Sequence, residues 1–215
     1  MCAIFGSFDR DKLESLAELN SYRGQLSYSV SEYDINNKRV FLKRKCMGAF
    51  TLEDVQLREG MYYIAHIQAP TTTASAIDAI HPSARNEDGD LLWHNGILKE
   101  DFVKDMQSSL GSTDKWDTGL LHDWILQNRS LSDVDGTFAC ARVSNGNLYL
   151  FRNEISPLFI DNDLNISSTR FEGSQPVRPN TVWLVDFPND TLAQMNTFNT
   201  KENPYYFGGL EGYVK

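Results

Sequence analysis

Residues 2–8 are mostly apolar, with Ile4, Phe5 and Phe8 closed off by Asp9-Arg10-Asp11. This pattern predicts a short buried strand and places the chain terminus inside the fold. Over Lys12 to Asn20 the period changes: Leu13, Leu16, Ala17 and Leu19 recur at helical spacing, with Ser21 and Gly24 beyond the end, and a helix is predicted. Period two returns around Leu26–Tyr33, Arg39–Lys43, Met61–Gln68 and Leu91–His94, which read as strands. Asp114 to Asn128 puts Trp116, Leu120, Leu121, Trp124 and Ile125 on one stripe and is the clearest helix in the chain. Phe138–Val143 and Leu148–Arg152 flank Ser144-Asn145-Gly146-Asn147, a strong hairpin signal because Asn-Gly accepts the left-handed backbone of tight hairpin turns. Shorter strands fit Leu158–Ile160, Ile166–Ser168 and Thr181–Asp186, and the Pro- and Gly-rich stretch from Pro176 onward otherwise reads as loop. Many short strands with few helices predict an α+β chain, and strands this apolar suit two sheets stacked face to face.

The 215 residues suit one domain with its own core. Twenty Lys and Arg against 29 Asp and Glu leave a net charge of −9, which repels phosphate backbones and anionic headgroups. Neither nucleic acid nor a membrane surface is therefore an expected partner. No apolar run approaches the roughly 20 residues that span a bilayer, and the first residues lack the basic segment of a secretory signal, so a soluble, cytoplasmic protein is expected. Cys2, Cys46 and Cys140 are an odd number at wide spacing, which fits reduced thiols, and Cys46 and Cys140 read as packing residues. His66, His81, His94 and His122 show no metal-ligand spacing, and no metal or cofactor is expected. Lys38, Arg39, Lys43, Arg44 and Lys45 make a local basic cluster, read as a solvated hairpin or a docking face.

Cys2 directly follows the initiator methionine, and its small side chain permits removal of Met1. A chain that begins with cysteine carries a thiol nucleophile beside an α-amine of pKa about 7.7–8.0, near enough to working pH to act as its own base. On the residues alone, Cys2 is either such a nucleophile or a small buried strand residue.

Further stretches bear on that choice. Cys2-Ala-Ile-Phe-Gly resembles the opening of the class II glutamine amidotransferases, whose N-terminal cysteine releases ammonia from glutamine. In the same order along the chain, Tyr22-Arg23-Gly24-Gln25 resembles the family's Arg-Gly loop, and Ala65-His66-Ile67-Gln68-Ala69-Pro70-Thr71 its Gly-His-x-Arg-x-x-Thr segment. Trp93-His94-Asn95-Gly96 resembles its His-Asn-Gly segment and Trp116-Asp117-Thr118 its Asp-Thr before a helix. Asp135-Gly136-Thr137-Phe138-Ala139, Arg152 to Pro157-Leu158 and Ile166-Ser167-Ser168 match its last glutaminase strands.

The resemblance implies a four-layer αββα N-terminal-nucleophile hydrolase fold with two stacked antiparallel sheets. It implies a glutamine amidotransferase domain over 2–186, with 187–215 a C-terminal tail packed on or extending from it. It also implies roles: the Cys2 thiolate attacks the carboxamide of glutamine, and the side-chain N–H of Asn95 and backbone N–H of Gly96 receive the oxyanion. Arg23, Gln68, Thr71, His94 and Asp117 line the substrate, with Asp117 on its α-ammonium. Read without the family, Asn95-Gly96 is a hairpin turn and Asp117 a helix N-cap.

Two positions depart from the pattern. Leu26 stands where the family has an acidic residue, and Gln68 replaces the arginine that grips the α-carboxylate. A neutral amide offers no charged fork to a carboxylate, so weak binding of free glutamine is expected. The implied function is a glutaminase delivering ammonia to a separate synthase that handles the acceptor. The alternatives are a hydrolase of another γ-glutamyl-like amide and a catalytically silent binding or regulatory subunit.

Overall fold

A computed structural model describes residues 2–69, 82–85 and 89–200. Two antiparallel sheets are stacked between helices. The first sheet has seven strands in the order β11-β9-β10-β1-β4-β2-β3. Its strands are β1 (Ala3–Ser7), β2 (Ser27–Asp34), β3 (Arg39–Met47), β4 (Tyr62–Gln68), β9 (Phe159–Ile160), β10 (Ile166–Ser167) and β11 (Gln175–Pro176). The second has six in the order β13-β12-β8-β7-β6-β5, namely β5 (Ser83–Arg85), β6 (Asp90–Leu98), β7 (Gly136–Ser144), β8 (Asn147–Arg152), β12 (Thr181–Asp186) and β13 (Thr191–Thr197). Helix α1 (Arg10–Asn20) covers the first sheet; α2 (Glu100–Leu110) and α3 (Asp117–Leu126) cover the second.

Strand periodicity explains the layering. In β4, Tyr63, Ala65 and Ile67 pack toward α1, while Tyr62 and Ile64 pack between the sheets. In β7, Phe138 and Cys140 face α2 and α3, while Ala139, Ala141 and Val143 face the first sheet. Both faces of the central strands are thus buried, which is why these segments show little polar alternation. The clusters give three apolar layers, and burial of this kind stabilises by about 25 cal/mol per Å² of apolar surface removed from water.

The predicted Asn145-Gly146 hairpin forms between β7 and β8, with both residues at positive φ. The turn also touches the other sheet, since Tyr33 Oη donates to the Gly146 carbonyl at 2.7 Å. Sequence periodicity missed four elements, the short strands β5 and β11, helix α2 and strand β13. Helix α2 buries only Met106 completely, so its apolar stripe is thin, and residues 97–101 read as irregular or helical. Strand β13 (Thr-Leu-Ala-Gln-Met-Asn-Thr) lies mostly exposed at a sheet edge and has no apolar face to announce it. The residues after Asp186 therefore continue the second sheet as far as Thr197 before Phe198 stacks on Phe138.

A buried charge cluster fastens α3 to the second sheet. Asp90 of β6 accepts from His122 Nε2 of α3 at 2.7 Å and from Arg142 of β7 at 2.9 and 2.6 Å. Burial pushes the Asp90 carboxyl up, but the bonds from His122, Arg142 and Ser144 outweigh it and hold the group well below the usual carboxylate range. Removing one partner of a buried pair leaves an uncompensated charge at a cost of about 3–5 kcal/mol. Asp90→Ala should therefore lower the unfolding free energy by about 3 kcal/mol in urea titration, and an unchanged midpoint would show that the cluster contributes no net stability.

Candidate active site

Cys2 precedes β1, and the register Ala3↔Ile67 between β1 and β4 carries on to set Cys2 beside Gln68. Ile4 packs between the sheets and Ala3 packs toward α1, so alternation turns Cys2 toward the space between the sheets. The Arg23 Nε donates to the Cys2 carbonyl at 2.9 Å from the short 3-10 turn Ser21–Arg23 that ends α1. The loop that follows is tight: a Cβ on Gly24 would lie 2.3 Å from the Gln68 carbonyl carbon, so a side chain there would displace the end of β4.

Asn95 and Gly96 lie within β6, not in a turn, which removes the hairpin reading of that pair. Asn95 Nδ2 donates to Ser168 Oγ at 3.2 Å, and the same oxygen accepts from Ile4 N at 2.9 Å. The link from Asn95 to the start of β1 is therefore a single hydroxyl. Gly96 has no room for a side chain, since a Cβ would lie 1.9 Å from the Thr137 carbonyl oxygen. Asp117 is the first residue of α3 rather than its N-cap, which is Trp116. Its carboxylate accepts from Thr118 N at 2.8 Å and Leu98 N at 3.3 Å.

His94, expected at the substrate, has both ring nitrogens engaged inside the protein. Nε2 meets the Thr137 carbonyl at 3.2 Å and therefore carries the proton, while Nδ1 meets Thr118 Oγ1 at 3.1 Å. It braces α3 against β7 and leaves no nitrogen for a ligand. Gln68 is buried at the end of β4, and its Oε1 has no hydrogen-bond partner among the described residues. Thr71 lies outside the described residues. Leu26, at the altered position of the Arg-Gly loop, is half-exposed, and its N–H donates to the Gln68 carbonyl at 3.0 Å.

Burial pushes the Cys2 thiol up to about 12, and the Asp117 carboxylate adds to the rise. The positive chain terminus, Arg23 and a hydrogen bond from the Ala69 backbone pull the other way. Asp117 and Arg23 are thus both close enough to Cys2 to act on its charge. Ser168, Thr118 and Thr137 are supporting residues that lie within the quoted motifs but to which sequence reasoning gave no role. A cavity of 280 Å³ opens on the other face of the first sheet beside Gly24 and Phe50, and Cys2 does not line it. Among the described residues no three His, Cys, Asp or Glu side chains are grouped to hold a metal. No helix there is long and apolar enough to cross a membrane.

Two solved structures share this arrangement. A glutamine phosphoribosylpyrophosphate amidotransferase from B. subtilis, complexed with ADP and GMP, superposes with a TM-score of 0.64 at 17% identity, over 91% of this chain. The chain has the N-terminal-nucleophile hydrolase fold. An allosteric regulatory enzyme of purine biosynthesis gives 0.66 at 16% identity over 93%. The chain spans about half the length of each, 50% in both cases. Neither a protein-family model nor a curated protein sequence matches the chain.

The buried His66 of β4 gives this fold a pH dependence. Burial, and then the neighbouring His94, push its imidazole down to about 3 from an ordinary 6.5, although a bond to the His94 backbone works against them. The unfolded chain therefore binds a proton that the folded chain refuses. Stability is fullest above about pH 6.5 and falls as the pH drops from there toward about 3, by at most about 1.4 kcal/mol per pH unit. His66→Gln should flatten the unfolding free energy between about pH 6 and 4, and an unaltered slope would assign the acid sensitivity to other groups.

Proposed function

We propose that this chain is an amide hydrolase of the glutaminase type, with Cys2 as nucleophile once Met1 is removed. The observation that carries the reading is the convergence on Cys2 of groups from separate elements. These are Arg23 on its carbonyl, Asp117 acting on its thiol from α3, and Asn95 of the other sheet tied through Ser168 to Ile4. Amide cleavage needs a nucleophile, a proton carrier and oxyanion donors, and each role has an occupant here.

The Cys2 α-amine takes the thiol proton as sulfur adds to the carboxamide carbon. One N–H of Asn95 is held by Ser168, and the other, without a partner among the described residues, meets the oxyanion together with the Gly96 backbone N–H. The amine then gives its proton to the leaving ammonia, and water opens the thioester. Asp117 binds the substrate's ammonium. His94 supports the Asp117-bearing helix rather than touching substrate. The name of one neighbour, amidotransferase, further supports passage of the ammonia to an acceptor, handled in our reading by a separate synthase.

A thiol at about 12 is almost wholly protonated at neutral pH. In a chain that keeps Met1 the rate of Cys2 alkylation should rise about tenfold per pH unit from neutral upward. After Met1 removal it should instead level off above about pH 8, following the amine. Cys2→Ala should abolish ammonia release while leaving the fold intact. Robust turnover by a preparation that intact mass shows to retain Met1 would sink the mechanism.

Asn95→Ala removes one preorganised donor and should lower kcat by about 10²- to 10³-fold with a smaller change in KM. Steady-state rates with an unchanged kcat would leave Asn95 a structural residue of β6.

A further inference from the structure

Gln68 determines which kind of glutamine the site accepts, and this step rests on the amide-hydrolase reading above. The residue ends β4 beside Cys2, on the same face of the strand as Ile64 and His66, which points it between the sheets. It is 8% exposed, yet among the described residues its buried Oε1 has no partner. Folded proteins leave few buried polar atoms unpaired, and those left over call for an explanation.

Arg23, whose charge reaches Cys2, is held mainly on the main chain. Arg23 Nε is committed to the Cys2 carbonyl and its Nη1 lies 3.4 Å from the exposed Tyr22 hydroxyl. Beside the nucleophile, then, stands a neutral carboxamide whose vacant atom is an acceptor. A carboxylate presents only acceptors, so it can meet Nε2 but leaves Oε1 without a donor. A peptide group presents an N–H, which can donate to Oε1 and give the vacant acceptor its partner.

We propose that the preferred substrate is glutamine whose C1 is itself an amide: the N-terminal glutaminyl residue of a peptide. Its free α-ammonium goes to Asp117, and its first peptide group pairs with Gln68. The reaction converts glutaminyl to glutamyl. The Cys2 sulfur bonds to the side-chain carbonyl carbon, the carbon–nitrogen bond breaks with a proton from the Cys2 amine to give ammonia, and water then displaces the sulfur to leave the carboxylate.

The test compares ammonia release from L-glutamine and from L-glutaminyl-glycine, using protein shown by intact mass to begin at Cys2. Glutamyl-glycine is identified as the product, and Cys2→Ala serves as the blank for spontaneous cyclisation of the dipeptide. We expect kcat/KM for the dipeptide to exceed that for glutamine by about tenfold or more, mostly through KM. Gln68→Arg should reverse the preference, because a guanidinium fork suits a carboxylate. Gln68→Met, which fills the space without hydrogen bonds, should lose the preference for the dipeptide. Glutamine turned over as well as or better than the dipeptide by the unmodified protein overturns the substrate class and leaves amide hydrolysis standing. Ammonia from neither, together with a Cys2 that a glutamine-like electrophile does not label, overturns both.

Discussion

Ser168 Oγ accepts from the Ile4 backbone at 2.9 Å and from Asn95 Nδ2 at 3.2 Å, and Ser168 N returns a bond to the Ile4 carbonyl at 2.9 Å. This junction joins the opening strand of one sheet to the middle of the other. Stacked sheets are otherwise held by apolar side chains, which resist separation but allow small slides because the attraction has no direction. A directional bond at the edge of that interface fixes how the two sheets are registered near Cys2. The Asp90 cluster and the His94 bonds then lock α3 to the second sheet, so Asp117 inherits the same registration. Geometry near Cys2 is thus set by a few polar bonds, and the apolar core supplies the stability that makes them affordable.

The fold was legible wherever burial forced a pattern. Strands β1, β2, β4, β7 and β8 and helices α1 and α3 are close to their predicted spans, because each presents an apolar face to a layer that had to bury it. Strands β3 and β6 run beyond their predicted ends at Lys43 and His94. Asn95, Gly96, Lys45 and Cys46 carry no apolar alternation, and the ladder with the neighbouring strand extends the pairing instead. Helix α2 and strand β13 escaped for the same reason: surface elements whose partners are backbone groups or a thin contact leave little trace in hydrophobicity. For the site, the residues came from short motifs, and the geometry shows what each of them meets inside the protein. No periodicity could have told that both nitrogens of His94 turn inward or that Gln68 Oε1 is left alone. Those outcomes depend on neighbours distant in sequence, Thr118 and Thr137 in one case and an absence in the other.

Cys2 illustrates the tension between burial and reactivity. The surroundings that exclude water and orient the terminus also disfavour the thiolate, and Asp117 makes it worse. In the proposed mechanism an α-amine on Cys2, present once Met1 is removed, exchanges the proton locally and leaves no isolated anion in a place that tolerates one poorly. Arg23 acts twice, holding the main chain through the Cys2 carbonyl and drawing the thiol down by its charge.

The edge formed by β3 bears on how the molecule behaves in a crowd. Phe41, Leu42 and Met47 are exposed along it, and among the described residues no further strand pairs with its outer side. Such an edge is a template for uncontrolled strand addition. Here the register slips between Val30 and Ser31, leaving Lys43 as an extra residue that bulges the strand, and Arg39, Arg44 and Lys45 place positive charge along it. Two identical edges approaching each other would meet with cation against cation and with mismatched pleats. The basic cluster therefore works as a guard against self-association, keeping an apolar margin from seeding fibrils at high protein concentration.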